Sequence, residues 1–345
     1  MKGNEGPVLA TVIPVYNEAA FLRECVMSLV NQTLPPSQHI ILIVDGGSSD
    51  GTTDIIQDLL ESYQGEEYPQ IIALDNPQKS VAHARNLAMN HLPDTIEYLV
   101  EFIGHAKVGQ AHLQQRLDAW DECARIYGDQ LAAVGVKVVP SSNTPTIVGG
   151  WIESALGSAL GQSGGQFAQF STISLTNIPA FVTHRRKAIE AVGGWDPRFI
   201  SSQDSELSMR LKDAGYILCR HPSTYVDMRK RDRLSQWWKM GHRYGFWRTK
   251  LILKYPGRAN WKEFLPWFGV ILTASLFLIG NSHWLWLPIA YGVSLFSAGI
   301  ASFWRKRAVT HVLGVPLCLF LLHTSFSLGL VDGLIRRGKF STDRN

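Results

Sequence analysis

Short apolar runs alternate with amphipathic segments along the first part of the chain. The run VLATVIPV precedes FLRECVMSLVNQ, HIILIVD precedes a Gly/Ser/Asp turn and TTDIIQDLLESY, and QIIALD precedes SVAHARNLAMNHL. Apolar runs without alternation, separated by segments of helical periodicity, are typical of strands that are buried on both faces. The pattern therefore predicts an α/β fold with a mainly parallel sheet and flanking helices.

Three longer apolar stretches follow within residues 264–335: FLPWFGVILTASLFLIG, HWLWLPIAYGVSLFSAGIASF and HVLGVPLCLFLLHTSFSLGL. Each is nearly free of charge and close to the ~20 residues that cross a bilayer. They predict about three transmembrane or membrane-embedded helices. Buried helices of a soluble core are the alternative, although such helices usually carry a polar face.

Basic residues flank these stretches and indicate how they are oriented. Lysines and arginines of residues 250–262 precede the first stretch, and Arg305, Lys306 and Arg307 follow the second. This positive-inside pattern predicts a hairpin with both ends in the cytoplasm. A third crossing would place the basic residues of 336–339 outside, so the third segment is open between a crossing and a re-entrant or interfacial position.

These patterns divide the chain into four parts. They are a large domain at 1–250, a basic juxtamembrane linker at 251–263, membrane helices at 264–335 and a basic tail at 336–345. The start of the chain lacks a charged segment followed by a continuous apolar one, which predicts that the large domain stays in the cytoplasm. The net charge of +4 is modest, but basic residues concentrate at 229–262. Without a nucleic-acid motif, that patch favours binding to membrane and phosphate over binding to nucleic acid.

Polar side chains follow the predicted strands, which is where ligands of parallel sheets bind. Tyr16, Asn17 and Glu18 follow the first strand, and Asp45 ends the second. An unpaired carboxylate is costly to bury, so Asp45 at the end of a buried strand favours a functional role. Asp50 is better explained as a helix N-cap than as a ligand. The turn GGSSDG lacks the G-x-G-x-x-G spacing, which disfavours a dinucleotide-dependent oxidoreductase.

Five blocks follow one another in a distinctive order: TVIPVYNE, VDGGSSDGT, ARNLAM, VGGWDPRF and QDSELSMRLKDAGY. With these blocks the chain resembles the inverting family 2 glycosyltransferases, and within them the succinoglycan-biosynthesis type, which also carries C-terminal membrane spans. The resemblance covers about residues 8–250 in detail. It implies a GT-A fold, which is Rossmann-like with a mainly parallel sheet and flanking helices, followed by C-terminal transmembrane helices.

The resemblance also implies a donor site. Tyr16, Asn17, Glu18 and Asp45 would hold the nucleotide base and ribose, and Arg85 would face the nucleotide or its pyrophosphate. For Arg85 the alternative is a solvated charge on a helix.

The carboxylate of Asp204, in SSQDSEL, matches the general base of the family, although the preceding residue is Gln203 where the family usually has Glu. An inverting transfer needs a carboxylate that takes the proton of the acceptor hydroxyl, and such a base contributes ~10²–10⁴ in rate. A helix N-cap is the alternative for Asp204. Glu206 and Arg210, which follow it, are equally well explained as a solvated helix face.

The segment RDRLSQWWKMGHRYGFWR resembles the one that follows the catalytic helix in these enzymes. Arg233, Gln236, Trp237 and Trp238 would contact the diphosphate and the acceptor, because a guanidinium suits phosphate oxygens and indoles stack on sugars. A tryptophan belt at the membrane interface is the alternative.

The stretch EFIGHAKVG lies where most of the family reads Asp-x-Asp and the succinoglycan type reads Asp-x-His. Here Ile103 occupies the first position and His105 the second. Three accounts stay open. Mg²⁺ or Mn²⁺ binds through His105, the donor diphosphate and waters; Arg85, Arg233 or a lysine supplies the positive charge instead; or the chain binds a donor or partner without turnover.

Residues 147–186 are rich in Gly, Ser and Gln. They predict either a loop that moves over a bound sugar or a connecting segment at the membrane surface. Trp151, Phe167 and Phe170 favour contact with a lipid-linked acceptor.

The sequence as a whole predicts a multi-pass enzyme of the cytoplasmic (inner) cell membrane. It would be a hexosyl- or related transferase that moves a sugar, with inversion, from a nucleotide-sugar donor to a lipid-linked or polysaccharide acceptor. A UDP-linked donor is the leading hypothesis. The alternative is a non-catalytic nucleotide-sugar-binding subunit of a polysaccharide assembly complex.

Overall fold

The computed structural model describes residues 7–140, 146–161, 170–229 and 231–336. The chain divides into two compact units, of which the first comprises 1–139 and 169–229 and the second 140–168 and 230–345. Phe167 and the tail beyond Arg336 lie outside the described residues. The functional boundaries predicted at residues 250 and 263 stay predictions.

In the described part of the chain one sheet contains nine strands: β1 (Leu9–Val15), β2 (His39–Asp45), β3 (Gln70–Asp75), β4 (Tyr98–Glu101), β5 (Ala106–Lys107), β6 (Leu131–Pro140), β7 (Ser174–Leu175), β8 (Thr183–Arg185) and β9 (Ile217–Met228). The strand order is β3-β2-β1-β4-β8-β6-β9-β5, and β7 pairs with β9. The first four strands of that order are parallel, as the sequence predicts. From β8 onward the pairing is antiparallel wherever a register is defined.

The α-helices are α1 (Leu22–Val30), α2 (Thr52–Ser62), α3 (Val81–His91), α4 (His112–Tyr127), α5 (Ile147–Leu156), α6 (Arg186–Ala191), α7 (Gln203–Asp213), α8 (Leu234–Lys254), α9 (Leu265–Leu278), α10 (Trp286–Lys306) and α11 (His311–Ile335). Helices α5 and α8 to α11 belong to the second unit. The predicted helices after the first three strands are therefore confirmed as α1, α2 and α3.

Two apolar cores cover the two faces of the sheet, because side chains of a strand alternate between its faces. Ala10 and Val12 pack on the side of α3 and α7. Leu9 and Ile13 pack on the side of α1 and α2. Every residue of β2 is buried, which explains why its sequence shows no alternation.

The second unit is organised around α11, and glycines allow α8 to approach it closely. A Cβ atom at Gly245 of α8 would clash with the Phe326 carbonyl oxygen, and one at Gly329 of α11 would clash with the His242 carbonyl oxygen. Small residues at such contacts let two helix backbones approach closely. The pair therefore depends on the absence of side chains at these positions.

The expectation of about three transmembrane or membrane-embedded helices stays a prediction, and the structure distinguishes their lengths. Among the described residues, two segments are long and apolar enough to cross a bilayer, Ser282–Lys306 and His311–Ile335. The first predicted stretch forms α9, whose 14 residues extend over ~21 Å, less than the ~30 Å of a hydrocarbon core.

The loop predicted at 147–186 also differs in part. Its first residues form α5, whose Thr146 N-cap accepts a hydrogen bond from the Gly149 amide. Trp151 of that helix packs against Gly314 and donates to the Thr310 hydroxyl at 3.1 Å. Residues 162–169 lie outside the described residues.

Gly245→Leu should destabilise the second unit, because the new side chain has to displace the α11 backbone. Overpacking typically costs ~1–3 kcal/mol. We therefore expect a lower midpoint of thermal unfolding, measured in detergent. Gly292→Leu in α10 is the matched control, since no atom lies within 4 Å of a Cβ there and leucine favours the helix. Equal midpoints for the two variants would contradict the packing described.

Candidate active site

The ends of the first two strands are joined by hydrogen bonds between side chains and backbone. Asn17 adopts a left-handed conformation with φ of 55°, which asparagine tolerates better than most residues. Its amide donates to the Ser48 hydroxyl, and its side-chain oxygen accepts from the Ser49 amide, both at 2.8 Å. The loop after β1 and the loop after β2 are thus held as one structure.

Asp45 is buried, and the loop that follows it supplies its hydrogen bonds. Its carboxylate accepts from the Ser48 hydroxyl at 2.6 Å and from the Ser48 amide at 3.2 Å. The Thr53 hydroxyl donates to it at 3.4 Å. The requirement for partners at this buried carboxylate is therefore met within the strand-to-helix turn.

Asp50 supports the start of α2, although the N-cap residue itself is Gly51. Its carboxylate accepts from the Thr52 amide and hydroxyl at 3.1 and 2.5 Å, and from the Ala19 amide at 3.1 Å. Burial works to raise the pKa of Asp50, but these hydrogen bonds outweigh it and lower that pKa. The N-cap assignment of Asp50 is therefore wrong, because Gly51 is the N-cap, although the carboxylate still accepts from the first amide of the helix.

Tyr16 lies beside a lysine that the sequence pattern did not single out. The Lys79 ammonium is 5.8 Å from the centroid of the Tyr16 ring, within the range of cation–π contacts. A Cβ at Gly46 would contact the same ring, at 3.4 Å. Lys79 follows β3, so the rule that ligands bind after parallel strands could have identified it.

His105 and Glu18 form a pair at the ends of β4 and β1. The imidazole Nδ1 lies 2.7 Å from Glu18 Oε1, and the two side chains are 35% and 18% exposed. Because Glu18 occupies Nδ1, Nε2 is the nitrogen of His105 that can meet a ligand. Gly104 makes the close approach possible, since a Cβ there would lie 3.1 Å from both Glu18 Cγ and Val15 Cγ1.

The same pair is the candidate for a divalent metal ion. Within the described residues, no group of three or more His, Cys, Asp or Glu side chains could hold a metal ion. Ile103 packs against the apolar core and contributes no ligand. Mg²⁺ usually binds through one or two carboxylates together with substrate phosphates and water. The Nε2 atom of His105 therefore fits an ion that is shared with a diphosphate, and Glu18 fixes the orientation of the ring.

Arg85 is buried rather than solvated, which excludes the alternative considered from sequence. Its guanidinium lies 2.9 Å from Glu101 Oε2 and 5.6 Å from the centroid of the Trp195 ring. The other oxygen of Glu101 faces His184 Nε2 at 3.0 Å and the Trp195 indole N–H at 3.2 Å. The arginine predicted to face the donor is thus engaged in a buried polar network.

This network determines the protonation of Glu101. Burial works to raise the pKa of Glu101, but the Arg85 guanidinium and the hydrogen bonds from His184 and Trp195 outweigh it, and the pKa falls from 4.5 to about 2. The folded state therefore favours the carboxylate more strongly than the unfolded chain does. The resulting stabilisation is fully present above pH ~4.5 and is lost as the pH falls through about 2.

Further hydrogen bonds fix the segments next to this network, and one of them comes from the helix that carries Asp204. Asn86, next to Arg85, donates to the Trp195 carbonyl at 2.7 Å and accepts from the Trp195 amide at 2.8 Å. Arg210 of α7 donates to the carbonyl of Val192. The ARN and GGWD motifs are therefore held together beside Glu101, and α7 is bonded to the residue that precedes GGWD.

Within α7, Glu206 is fully buried and forms a two-point ion pair with Arg210 at 2.7–3.0 Å. The solvated-face explanation of these two residues is wrong. Asp204 lies inside the first turn, because the N-cap is Ser202, so the N-cap explanation of Asp204 is also wrong. The Asp204 carboxylate accepts from the Ser205 amide at 2.8 Å.

The remaining predicted site residues belong to the second unit. Arg233 is the N-cap of α8, and both Arg233 and Gln236 are exposed. Trp237 is only 1% exposed and donates to the Cys318 carbonyl at 2.8 Å. Its buried ring has no face for stacking on a sugar or for an interface belt, which corrects both explanations of that residue. The assignments of Arg233 and Gln236 stay predictions.

Glu101→Gln should lower the free energy of unfolding by ~3–5 kcal/mol, because it leaves the buried Arg85 charge without its partner. We also expect a weaker loss of stability between pH ~4.5 and 2, measured by denaturant unfolding over that range. Glu24→Gln is the matched control: Glu24 pairs with Lys107 at 2.7 Å on the surface, and such pairs contribute ~0–1 kcal/mol. A similar effect of both substitutions would contradict the stabilising role of the buried Glu101 network.

Known proteins share both the sequence pattern and the fold. The family model for glycosyl transferase family 2 matches residues 11–189, more than half of the 345 residues. Succinoglycan biosynthesis protein ExoA of Rhizobium meliloti is 29% identical over 265 residues, covering 74% of this chain and 73% of that protein.

A second relative, from Methanococcus voltae, is 23% identical over 329 residues, covering 95% of this chain and 97% of its own. It is the dolichyl N-acetyl-alpha-D-glucosaminyl phosphate 3-beta-D-2,3-diacetamido-2,3-dideoxy-beta-D-glucuronosyltransferase. The solved structure of a Pyrobaculum calidifontis mannosyltransferase, in complex with GDP-Man and Mn²⁺, superimposes with a TM-score of 0.58 at 16% identity, over 96% of this chain and 88% of that one. The fold is therefore of the GT-A type, and the chain belongs to glycosyltransferase family 2.

Proposed function

We propose that the first unit transfers a sugar, with inversion, from a nucleotide-sugar donor to a hydroxyl of a lipid-linked or polysaccharide acceptor. The observation that carries the proposal is the Glu18–His105 pair, 2.7 Å apart, at the same sheet edge as Asp45 and Asn17. Parallel α/β sheets bind ligands at this edge. The two joined loops offer backbone and side-chain groups to a base and ribose.

The proposed division of roles follows from where the groups lie relative to the carboxyl ends of the strands. Tyr16, Asn17 and Asp45 contact the nucleoside part of the donor. Lys79 lies beside Tyr16 and contacts the phosphates of the donor. Arg85 acts indirectly, since its guanidinium holds Glu101. A positive group aimed at the departing diphosphate stabilises charge that develops in the transition state.

A divalent ion, where bound, offsets the charge of the diphosphate. The Nε2 atom of His105 would hold it, with Mg²⁺ or Mn²⁺ as the candidates, while Glu18 orients the imidazole through Nδ1. Support comes from the mannosyltransferase of the same fold, whose structure contains GDP-Man and Mn²⁺. A UDP-linked donor remains our hypothesis for this chain.

Asp204 is the proposed general base. It takes the proton of the acceptor hydroxyl while that oxygen bonds to the anomeric carbon and the nucleoside diphosphate leaves from the opposite face. Its position in the first turn of α7 suits an anion, because helix N-termini stabilise negative charge. Gln203 beside it adds no competing carboxylate.

The acceptor and location follow from the second unit and the relatives. The Methanococcus relative is named for a dolichyl phosphate-linked acceptor, and Rhizobium ExoA for succinoglycan biosynthesis. The two apolar segments of the second unit support membrane association, which we place at the cytoplasmic face of the cell membrane. A non-catalytic donor-binding subunit is the second candidate, favoured by Ile103 at the position of a metal-binding aspartate.

Asp204→Asn should retain donor binding and lower transfer at least ~100-fold, because the amide cannot accept the proton. The rate of transfer is measured as product formation by the full chain in detergent. The donors are UDP- and GDP-sugars, and the acceptors are lipid phosphates and polysaccharides. Asp213→Asn, at the exposed end of the same helix, is the matched control and should remain active. Donor binding without transfer by the unmodified chain, with every acceptor, would favour the non-catalytic candidate.

Ile103→Asp should strengthen Mn²⁺ binding in the presence of UDP by ~tenfold or more, since a carboxylate adds a charged oxygen ligand beside His105. Free Mn²⁺ measured by electron paramagnetic resonance gives the affinity without relying on activity. Ile103→Asn is the control for the change in packing. Unchanged affinity in Ile103→Asp would remove His105 from the proposed metal site.

A further inference from the structure

The basic helix α8 lies alongside the C-terminal half of the apolar helix α11. Trp237 donates to the Cys318 carbonyl and the Thr249 hydroxyl donates to the Leu330 carbonyl, both at 2.8 Å. Further along, the Lys250 ammonium donates to the Arg336 carbonyl at 2.7 Å. These contacts advance together along both helices, so α8 runs parallel to α11 from residue 318 to its end.

The charges of α8 limit how deeply this part of α11 can enter a membrane. Lys239 and Arg243 lie between the contacts at Trp237 and Thr249, and thus beside the middle of α11. A lysine or arginine at the bilayer centre costs at least ~2.5–3.5 kcal/mol. Only residues 311–317 of α11 precede the α8 contacts, and they extend over ~10 Å of the ~30 Å hydrocarbon core.

The pairing of α10 with α11 also argues against a crossing of the bilayer. The two helices are antiparallel, since the Ser302 hydroxyl meets His311 at 2.8 Å and the Tyr291 hydroxyl meets His323 at 2.9 Å. Arg305–Arg307 lie at the turn between them, and Lys250 contacts the opposite end of α11 at Arg336. A hairpin that crossed the bilayer would therefore carry basic residues at both faces, against the tendency of such residues to stay on one side.

The three apolar helices α9, α10 and α11 nevertheless expose apolar side chains whose contact with water is unfavourable. All residues of α9 are at least partly exposed, and α11 exposes a stripe at helical spacing. Exposed apolar side chains on the three helices include Phe268, Ile271, Val293, Phe296, Leu317 and Phe320. Soluble monomers rarely expose a contiguous apolar surface of this extent, and basic residues around it complement anionic lipid headgroups.

We propose that the second unit is embedded in a single leaflet, with α10 and α11 lying along the membrane and neither crossing it. The partner of the apolar surface is the acyl layer of that leaflet, and the partner of the α8 charges is its headgroup layer. The inference rests on the membrane association proposed above and replaces the multi-pass topology expected from hydropathy. In this arrangement both ends of α11, including the basic C-terminal end, lie at the same headgroup layer.

Two single substitutions test the topology in the full chain. Ser282 is the first residue of the segment 282–306 and Val309 follows its last residue, so either Ser282→Cys or Val309→Cys must reach the far side if that segment crosses. Val309 is 74% exposed, and the native cysteines Cys25, Cys123, Cys219 and Cys318 are all buried. A membrane-impermeant maleimide is added to intact cells, which present the far side, and to inverted vesicles, which present the near side.

We expect the protein to stay with the membranes through a high-salt wash and neither cysteine to be labelled from the far side. Labelling of either from the far side would overturn the proposal, as would release of the chain by the wash. An outward-facing cysteine of a resident membrane protein confirms that the reagent acts in the same cells. Reaction of both variants after detergent extraction confirms that each cysteine can be modified.

Sugar transfer measured on the same variants separates this inference from the proposed function. Transfer combined with far-side labelling would overturn the single-leaflet topology alone. A chain that is retained in the membrane, unlabelled from the far side and inactive with every donor and acceptor would overturn the proposed function alone.

Discussion

The fold of the first unit depends on one buried carboxylate, Glu101, at the end of β4. An ionised carboxyl group is tolerated away from water only when charges and hydrogen bonds replace the water. Arg85, His184 and Trp195 provide these contacts, and each comes from a different element. The need to satisfy a single charge therefore fixes α3, β8 and the turn before α7 around the central strand.

The position of the proposed active site follows from that arrangement. β4 continues past Glu101 into the segment that carries His105, and the Trp195 turn leads to α7 and Asp204. Because the Arg85 guanidinium is buried against Glu101, we assign the positive charge for a donor diphosphate to other groups. The candidates are Lys79, beside Tyr16, an ion held by the Nε2 atom of His105, and Arg233 as predicted from the sequence.

The second unit shows how packing alters the meaning of a hydropathy pattern. Taken alone, α11 has the length and composition of a membrane span. Its glycines, however, admit the backbone of α8, which carries lysine and arginine into the vicinity of its midpoint. Apolar composition reports the preference of one helix for a non-aqueous environment, whereas the depth at which it can lie depends on the charges of the helices packed against it.

The sequence alone determined the strand–helix repeats, the polar turns that form the candidate donor site and membership in the family, because local periodicity and ordered motifs encode them. Short strands such as β7 and β8 were not identified, because two or three residues carry no periodic signal. Only the tertiary structure decided which charges are buried and with whom they pair. Arg85 and Trp237 looked available for ligands, yet one holds Glu101 and the other packs in a helical core. Such pairings depend on distances between elements, and the spacing of residues along a chain does not specify those distances.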